Sequence, residues 1–215
     1  MQRLLLACFA IATCLTPAAP ARAQDPLEPL MKQDKLTRGQ RATMEAELSL
    51  RANRLRDAGT NAQLRSEARD RILKTAATSG ATQGSLDAYA EICAGELSAV
   101  TGAELLETAM EAVMILSQLN NAQTVDALAA GLRSRHAAVR LISARSIQRL
   151  HDLIKDDQKK CSAVLRALGR AGAREPDEHV LRVTYQAVDF KSSVRNFKFG
   201  DLSAKALGEI FQGRL

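Results

Sequence analysis

The chain has 215 residues, with 30 Lys+Arg against 24 Asp+Glu for a net charge of +6, 46% hydrophobic and 3% aromatic residues, 5 Pro and no Trp. That balance excludes wholesale disorder, a collagen-like chain and a multi-span membrane protein. Scarce aromatic and β-branched residues point away from an all-β fold and toward helices, and they name no activity.

The N-terminus reads as an export signal. Arg3 precedes an uncharged apolar run from Leu4 to Leu15, and a small-residue stretch ends in Ala21-Arg22-Ala23. This order predicts a signal peptide over residues 1–23, cut after Ala23, and a periplasmic or secreted protein. The run is too short to span a bilayer, which takes roughly 20 apolar residues. Ile11-Ala12-Thr13-Cys14 resembles a bacterial lipoprotein box, but Thr13 stands where a smaller residue is usual, and lipid anchoring is not expected. Cleavage would remove Arg3 and Arg22 and lower the net charge to +4. The two remaining cysteines, Cys93 and Cys161, would then meet an oxidising compartment that permits a disulfide, although their helical, Ala-rich surroundings favour two buried thiols.

Residues 24–34 read as a flexible lead-in and residues 35–84 as two charged helices. From Thr37 onward, segments of helical periodicity alternate with polar caps and Gly. Expected helix starts are Thr60 or Asn61 before Leu64, Ser85 before Leu86, Thr101 with Glu104 as a capping box, and Asp177 after Pro176. After Thr101, Leu106, Met110 and Val113 are expected to line one face. Expected stops are Gly59, the Ser79 to Gly84 stretch, and Gly169 to Gly172.

Residues 85–215 contain an internal repeat. Thr108 to Leu119 reads TAMEAVMILSQL and Val139 to Leu150 reads VRLISARSIQRL; Ala112 matches Ser143, Leu116 matches Ile147 and Leu119 matches Leu150, each at an offset of 31. Between them Val125, Leu128 and Leu132 have helical spacing, so each unit holds two helices. Such a unit buries both faces only by stacking on a neighbour.

The stretch from Leu116 to Ile147, LSQLNNAQTVDALAAGLRSRHAAVRLISARSI, resembles the short HEAT-like repeats that include the phycobilisome-lyase type. Val139-Arg140 with Ser143, Ala144, Ser146 and Ile147 fill the second helix of that pattern. Asn120 replaces its Gly, and Ser134 and His136 replace its turn acids. A further unit at Leu181-Arg182 lies 42 residues after Val139-Arg140. The resemblance implies an all-α fold, a right-handed α-solenoid of HEAT-like helical hairpins preceded by a charged helical hairpin. Leu116, Leu119, Leu128, Leu132, Val139, Arg140, Ala144, Ile147 and Leu150 are its structural repeat positions. It also implies that Arg140 bonds an acidic residue across adjacent repeats. Nothing in these residues marks pigment binding.

Charge is segregated along the sequence. From Leu86 to Gly131 there are 7 acidic residues and no Lys or Arg, whereas Arg133 to Arg174 holds 11 basic and 3 acidic residues, a local charge of +8. Arg133, Arg135, Arg145, Arg149, Lys159 and Lys160 are the candidate binding residues for an anionic partner. Too few aromatics lie near them for a base-stacking platform, so nucleic acid is not expected.

No phosphate-cradling Gly loop, metal-ligand spacing or catalytic constellation is visible. His136, His151 and His179 are expected to be solvent-exposed or to act as caps. The sequence therefore predicts no catalytic residues, no metal and no cofactor. The expected function is a noncatalytic scaffold mediating protein–protein interaction in the cell envelope. The alternative is an accessory or sensor module binding an anionic envelope polymer or lipid surface through the basic patch. The apolar C-terminal face of Ala206, Leu207, Ile210 and Phe211 either caps the array or docks on a partner.

Overall fold

The computed structural model describes residues 25–189 and 200–215; the expected signal, Phe190, Phe197 and Phe199 lie outside the described residues. A short turn of helix, α1 (Glu28–Met31), leads into α2 (Arg38–Asp57), α3 (Ala62–Ala76), α4 (Gln83–Ser98) and α5 (Leu106–Leu119). These are followed by α6 (Val125–Gly131), α7 (Ala137–Ile154), α8 (Gln158–Gly172), α9 (Glu178–Val188) and α10 (Gly200–Gln212). Among the described residues the chain is all-α, without a strand.

Short polar side chains start five of these helices by accepting an orphan amide of the first turn. Thr37 and Gln40 form a reciprocal capping box on α2. Asn61 accepts from Leu64 N–H ahead of α3, and Asp177 accepts from His179 and Val180 N–H ahead of α9, as the sequence suggests. Two expected starts move. Thr82, rather than Ser85, caps α4, and Ser85 is buried with its hydroxyl donating to the Met31 carbonyl. Thr101 does not cap α5; its hydroxyl donates to the Ser98 carbonyl at 2.8 Å, satisfying an orphan acceptor at the end of α4. Helix α5 then waits until Leu106, which is 40% exposed, whereas Val113 is buried. At its end Asn120 takes a left-handed φ of 45°, the conformation that Gly supplies in the repeat pattern and that Asn tolerates.

Successive helices pack as pairs: α2 on α3, α4 on α5, α6 on α7 and α8 on α9. The pairs then contact one another in two series, α3–α5–α7–α9 and α2–α4–α6–α8–α10. Periodicity explains this, because apolar residues at 3- and 4-residue spacing give each helix a buried stripe. Leu116, Leu128, Leu132, Val139, Ala144, Ile147 and Leu150 are all buried, Leu119 is half-buried against the core, and Arg140 is half-buried. Buried Ala112 and Ser143 also match across the 31-residue offset.

Residues 25–34, expected as a flexible lead-in, anchor on the core through Leu27 and Met31, while residues 32–34 are exposed. Leu27 and Met31 are fully buried, and Arg51, itself only 5% exposed, reaches back to the Asp25 carboxylate at 2.6 Å and to the Thr75 hydroxyl at 2.7 Å. At the other end, α8 stops at Gly172, inside the expected Gly169 to Gly172 stretch, with Gly169 in its last turn. The missing Cβ there admits α10: one added at Gly169 would lie 3.2 Å from Ala206 Cα. Ala206 and Ile210 are buried on this contact, so the C-terminal helix folds back on α8, while Phe211 stays 64% exposed beside the Tyr185 ring.

Candidate functional site

The C-terminal ends of α6 and α8 frame a cleft of about 550 Å³. Helix α8 turns Val164, Leu165 and Leu168 into the core, which leaves Ala167 and Ala171 facing the cleft, with Arg170 and Arg174 on its rim. Arg133 follows buried Leu132 across the gap. Arg133, Arg170 and Arg174 are exposed, and none forms an ion pair among the described residues. Their position near helix C-termini is favourable, because the terminal carbonyls carry partial negative charge.

One wall of the cleft is an ion pair already made. Arg140 donates from Nε and Nη2 to the two carboxylate oxygens of Glu175, each at 2.7 Å, and from Nη1 to the Ser134 and Arg135 carbonyls. This guanidinium fork matches the planar carboxylate and raises the Arg140 pKa above its ordinary value. Arg214 donates to the Glu175 backbone carbonyl at 3.0 Å, bringing the C-terminal end to the same corner. Arg133 also borders a second cavity of about 500 Å³, lined by Gly95, Ser98, Gly102 and Ala130 at the end of α4.

The six cations expected to form one binding patch do not form a single one: Arg145 and Arg149, one turn apart on α7, line a common cavity, and the other four lie elsewhere. Only Arg133 lines the cleft. Arg135 faces Glu104 at 3.6 Å in an exposed pair, and Arg145 lies on the α7–α9 side beside Gln148 and Gln186. Arg149 is used within the fold, donating to the Ser117 and Ser146 hydroxyls. Lys160 donates to the Ala122 carbonyl and to Gln123, joining the start of α8 to the turn before α6, while Lys159 is exposed in the first turn of α8. Neighbours in sequence point to different sides of a helix, so a linear charge block disperses. Arg170 and Arg174 are not among the expected binding residues; their four-residue spacing beside Ala167 and Ala171 is the signal in the sequence that carries them.

Two of the seven acidic residues pair with cations of the N-terminal helices. Glu91 pairs with Arg41 at 3.0 Å, and Glu111 accepts both Nη1 contacts of Arg69 at 3.0 and 3.1 Å. Asp87 accepts from Gln83 and Asn121.

Other reactive groups are dispersed or buried. His136 stands at the start of α7 with Nε2 against the Ala103 and Glu104 carbonyls, and exposed His179 contacts Arg182. His151, expected to be exposed or capping, is buried instead, and desolvation lowers its pKa to about 4 against the pull of the Ala187 backbone hydrogen bond. Cys93 and Cys161 are separate buried thiols, with burial pushing them up to about 12 and about 11. Among the described residues no group of three His, Cys, Asp or Glu is placed to hold a metal ion, and no helix is long and apolar enough to cross a membrane.

Comparisons with protein families, with curated proteins and with solved structures each find no match to this chain.

Proposed function

We propose that the chain is an exported, noncatalytic binding module of the cell envelope, built as a right-handed α-solenoid of HEAT-like hairpins, that engages a protein partner at the α6–α8 cleft. Three observations support this reading. The helical pairs contact their successors in two series, as stacked repeats do. The Leu116 to Ile147 stretch carries the repeat pattern, and the Arg3 to Ala23 order is that of an export signal. The observation that carries the site is the cleft itself, with three exposed arginines without ion pairs around an Ala-rich floor. Concave, partly apolar surfaces with a few polar anchors are the usual form of a binding site. The dispersal of the six candidate cations counts against a continuous track for an anionic polymer or lipid surface.

A photo-cross-linking residue at Pro176, on the cleft, and another at Gln186, on the α7–α9 side, test this in the native host. A protein adduct formed from position 176 and absent from position 186 is expected. Adducts from neither position, or equally from both, would overturn the reading. N-terminal sequencing of the native protein tests export, with Gln24 as the expected first residue.

A further inference from the structure

Resting on the reading of the chain as a protein-binding module, we propose that the α6–α8 cleft is a carboxylate site that takes an acidic peptide segment of the partner, with Arg133, Arg170 and Arg174 as its anchors. The cleft shows how it would do so. Its own wall holds one carboxylate, Glu175, in a two-point Arg140 fork at 2.7 Å per contact, and the remaining arginines carry the same planar donors without ion-pair partners among the described residues.

The chemistry of the surroundings narrows the ligand. Ala167, Ala171 and Leu132 give an apolar floor, which suits a charge borne on methylenes beside apolar neighbours, as in a Glu-containing peptide. No aromatic side chain lines the cleft, so bases and sugar rings find no stacking surface. A compact phosphate prefers the amides of a helix N-terminus, whereas α6 and α8 present C-terminal ends here. Glu175 is neutralised by Arg140, so its charge does not repel carboxylates held at the rim. The adjoining cavity beyond Arg133, edged by Gly95 and Gly102, extends the surface along the ends of α4, α6 and α8 and leaves room for an extended backbone.

The test uses the full mature chain and a fluorescein-labelled octapeptide carrying three glutamates spaced by Leu and Ala, with binding read by anisotropy. Binding is expected to weaken at least about tenfold when Arg133, Arg170 and Arg174 are together changed to Gln. Changing Arg145, Lys159 and Arg182 to Gln removes the same charge elsewhere and is expected to leave affinity within about twofold. The melting temperature of both variants is checked first, and a Gln-for-Glu version of the peptide is expected not to bind. Equal losses in the two triple variants, equal binding of the Gln peptide, or no binding at all would overturn the assignment. So would displacement of the labelled peptide by inorganic pyrophosphate at a lower concentration than by the unlabelled peptide. Cross-linking at position 176 without peptide binding would overturn the carboxylate assignment while sparing the protein-binding reading. Peptide binding without cross-linking would do the reverse.

Discussion

Arg140 and Glu175 lie 35 residues apart and meet in a doubly hydrogen-bonded ion pair that ties the first turn of α7 to the turn before α9. The side chains are 14% and 3% exposed, so the pair is poorly hydrated and each charge depends on the other. It also shapes the cleft, because Arg174 immediately precedes Glu175 and Ser134 immediately follows Arg133, and the Ser134 carbonyl accepts from Arg140.

Removing one partner is therefore expected to cost more than removing both. Arg140→Leu leaves the Glu175 carboxylate buried without its counterion and should cost about 3 kcal/mol or more. The double change Arg140→Leu with Glu175→Leu should recover much of that loss, because no unpaired charge remains. Urea unfolding of the two single variants and the double variant measures the coupling; strictly additive losses would show that the pair is not a unit.

A pH dependence follows from His151. Its ordinary pKa of 6.5 falls to about 4 in the folded chain because burial disfavours the imidazolium, with the Ala187 hydrogen bond and the charges of Asp152 and Asp189 acting the other way. The unfolded state therefore binds the proton more readily. This contribution to stability is complete above pH 6.5 and is lost as pH falls toward 4, amounting to roughly 3 kcal/mol. His151→Leu should flatten the stability profile over that interval without changing the slope at lower pH. There a separate group acts: burial raises the Asp25 pKa, but hydrogen bonds from Arg51, Thr75 and the Leu27 amide hold it below 3.8, so its contribution fades only in stronger acid.

The repeat positions separate inside from outside. Ile147 is fully buried, and Ile147→Asp places an unpaired charge in the core, at an expected cost of several kcal/mol, enough to unfold the chain. Arg135, with a 61% exposed side chain facing an exposed Glu104, should tolerate Arg135→Asp within about 0.5 kcal/mol. Thermal unfolding by circular dichroism compares the two; equal losses would contradict this assignment of the α7 face.

What was legible in the sequence was local or periodic. The match of Leu116 to Ile147 could be read because one residue type recurs at one offset, and Asn61 and Asp177 because a cap acts within three residues. Thr101 misled because its hydroxyl donates to the Ser98 carbonyl behind it and does not cap the amides ahead. Residues 25–34 were hidden for a different reason: Leu27 and Met31 span a single turn that contains Pro29, and their segment is held by Arg51 and Thr75, 26 and 50 residues away from Asp25. No window of local pattern contains that contact. The cleft escaped similarly, since Arg133 joins Arg170 and Arg174 only once α6 packs on α8.

The docking of that N-terminal segment gives the sharpest test, because backbone propensity and packing predict opposite signs at Gly84. At the second position of α4, Gly84→Ala should by propensity alone stabilise the helix, by at most about 1 kcal/mol. Yet a Cβ at this position would lie 2.2 Å from the Asp34 carbonyl oxygen. The obstructing backbone has little freedom to retreat, since Thr82 N–H donates to the Met31 carbonyl at 2.9 Å and its hydroxyl donates to the Gln33 carbonyl at 2.7 Å. Ala would therefore lever residues 31–34 off the start of α4 and draw buried Met31 and Leu27 toward water, at a cost of about 2–3 kcal/mol for the apolar surface exposed. Trypsin should then cut faster after Lys32 and Lys35, and the urea midpoint should fall. A rise in the midpoint with unchanged proteolysis would mean that propensity prevails and that this segment is not seated against α4.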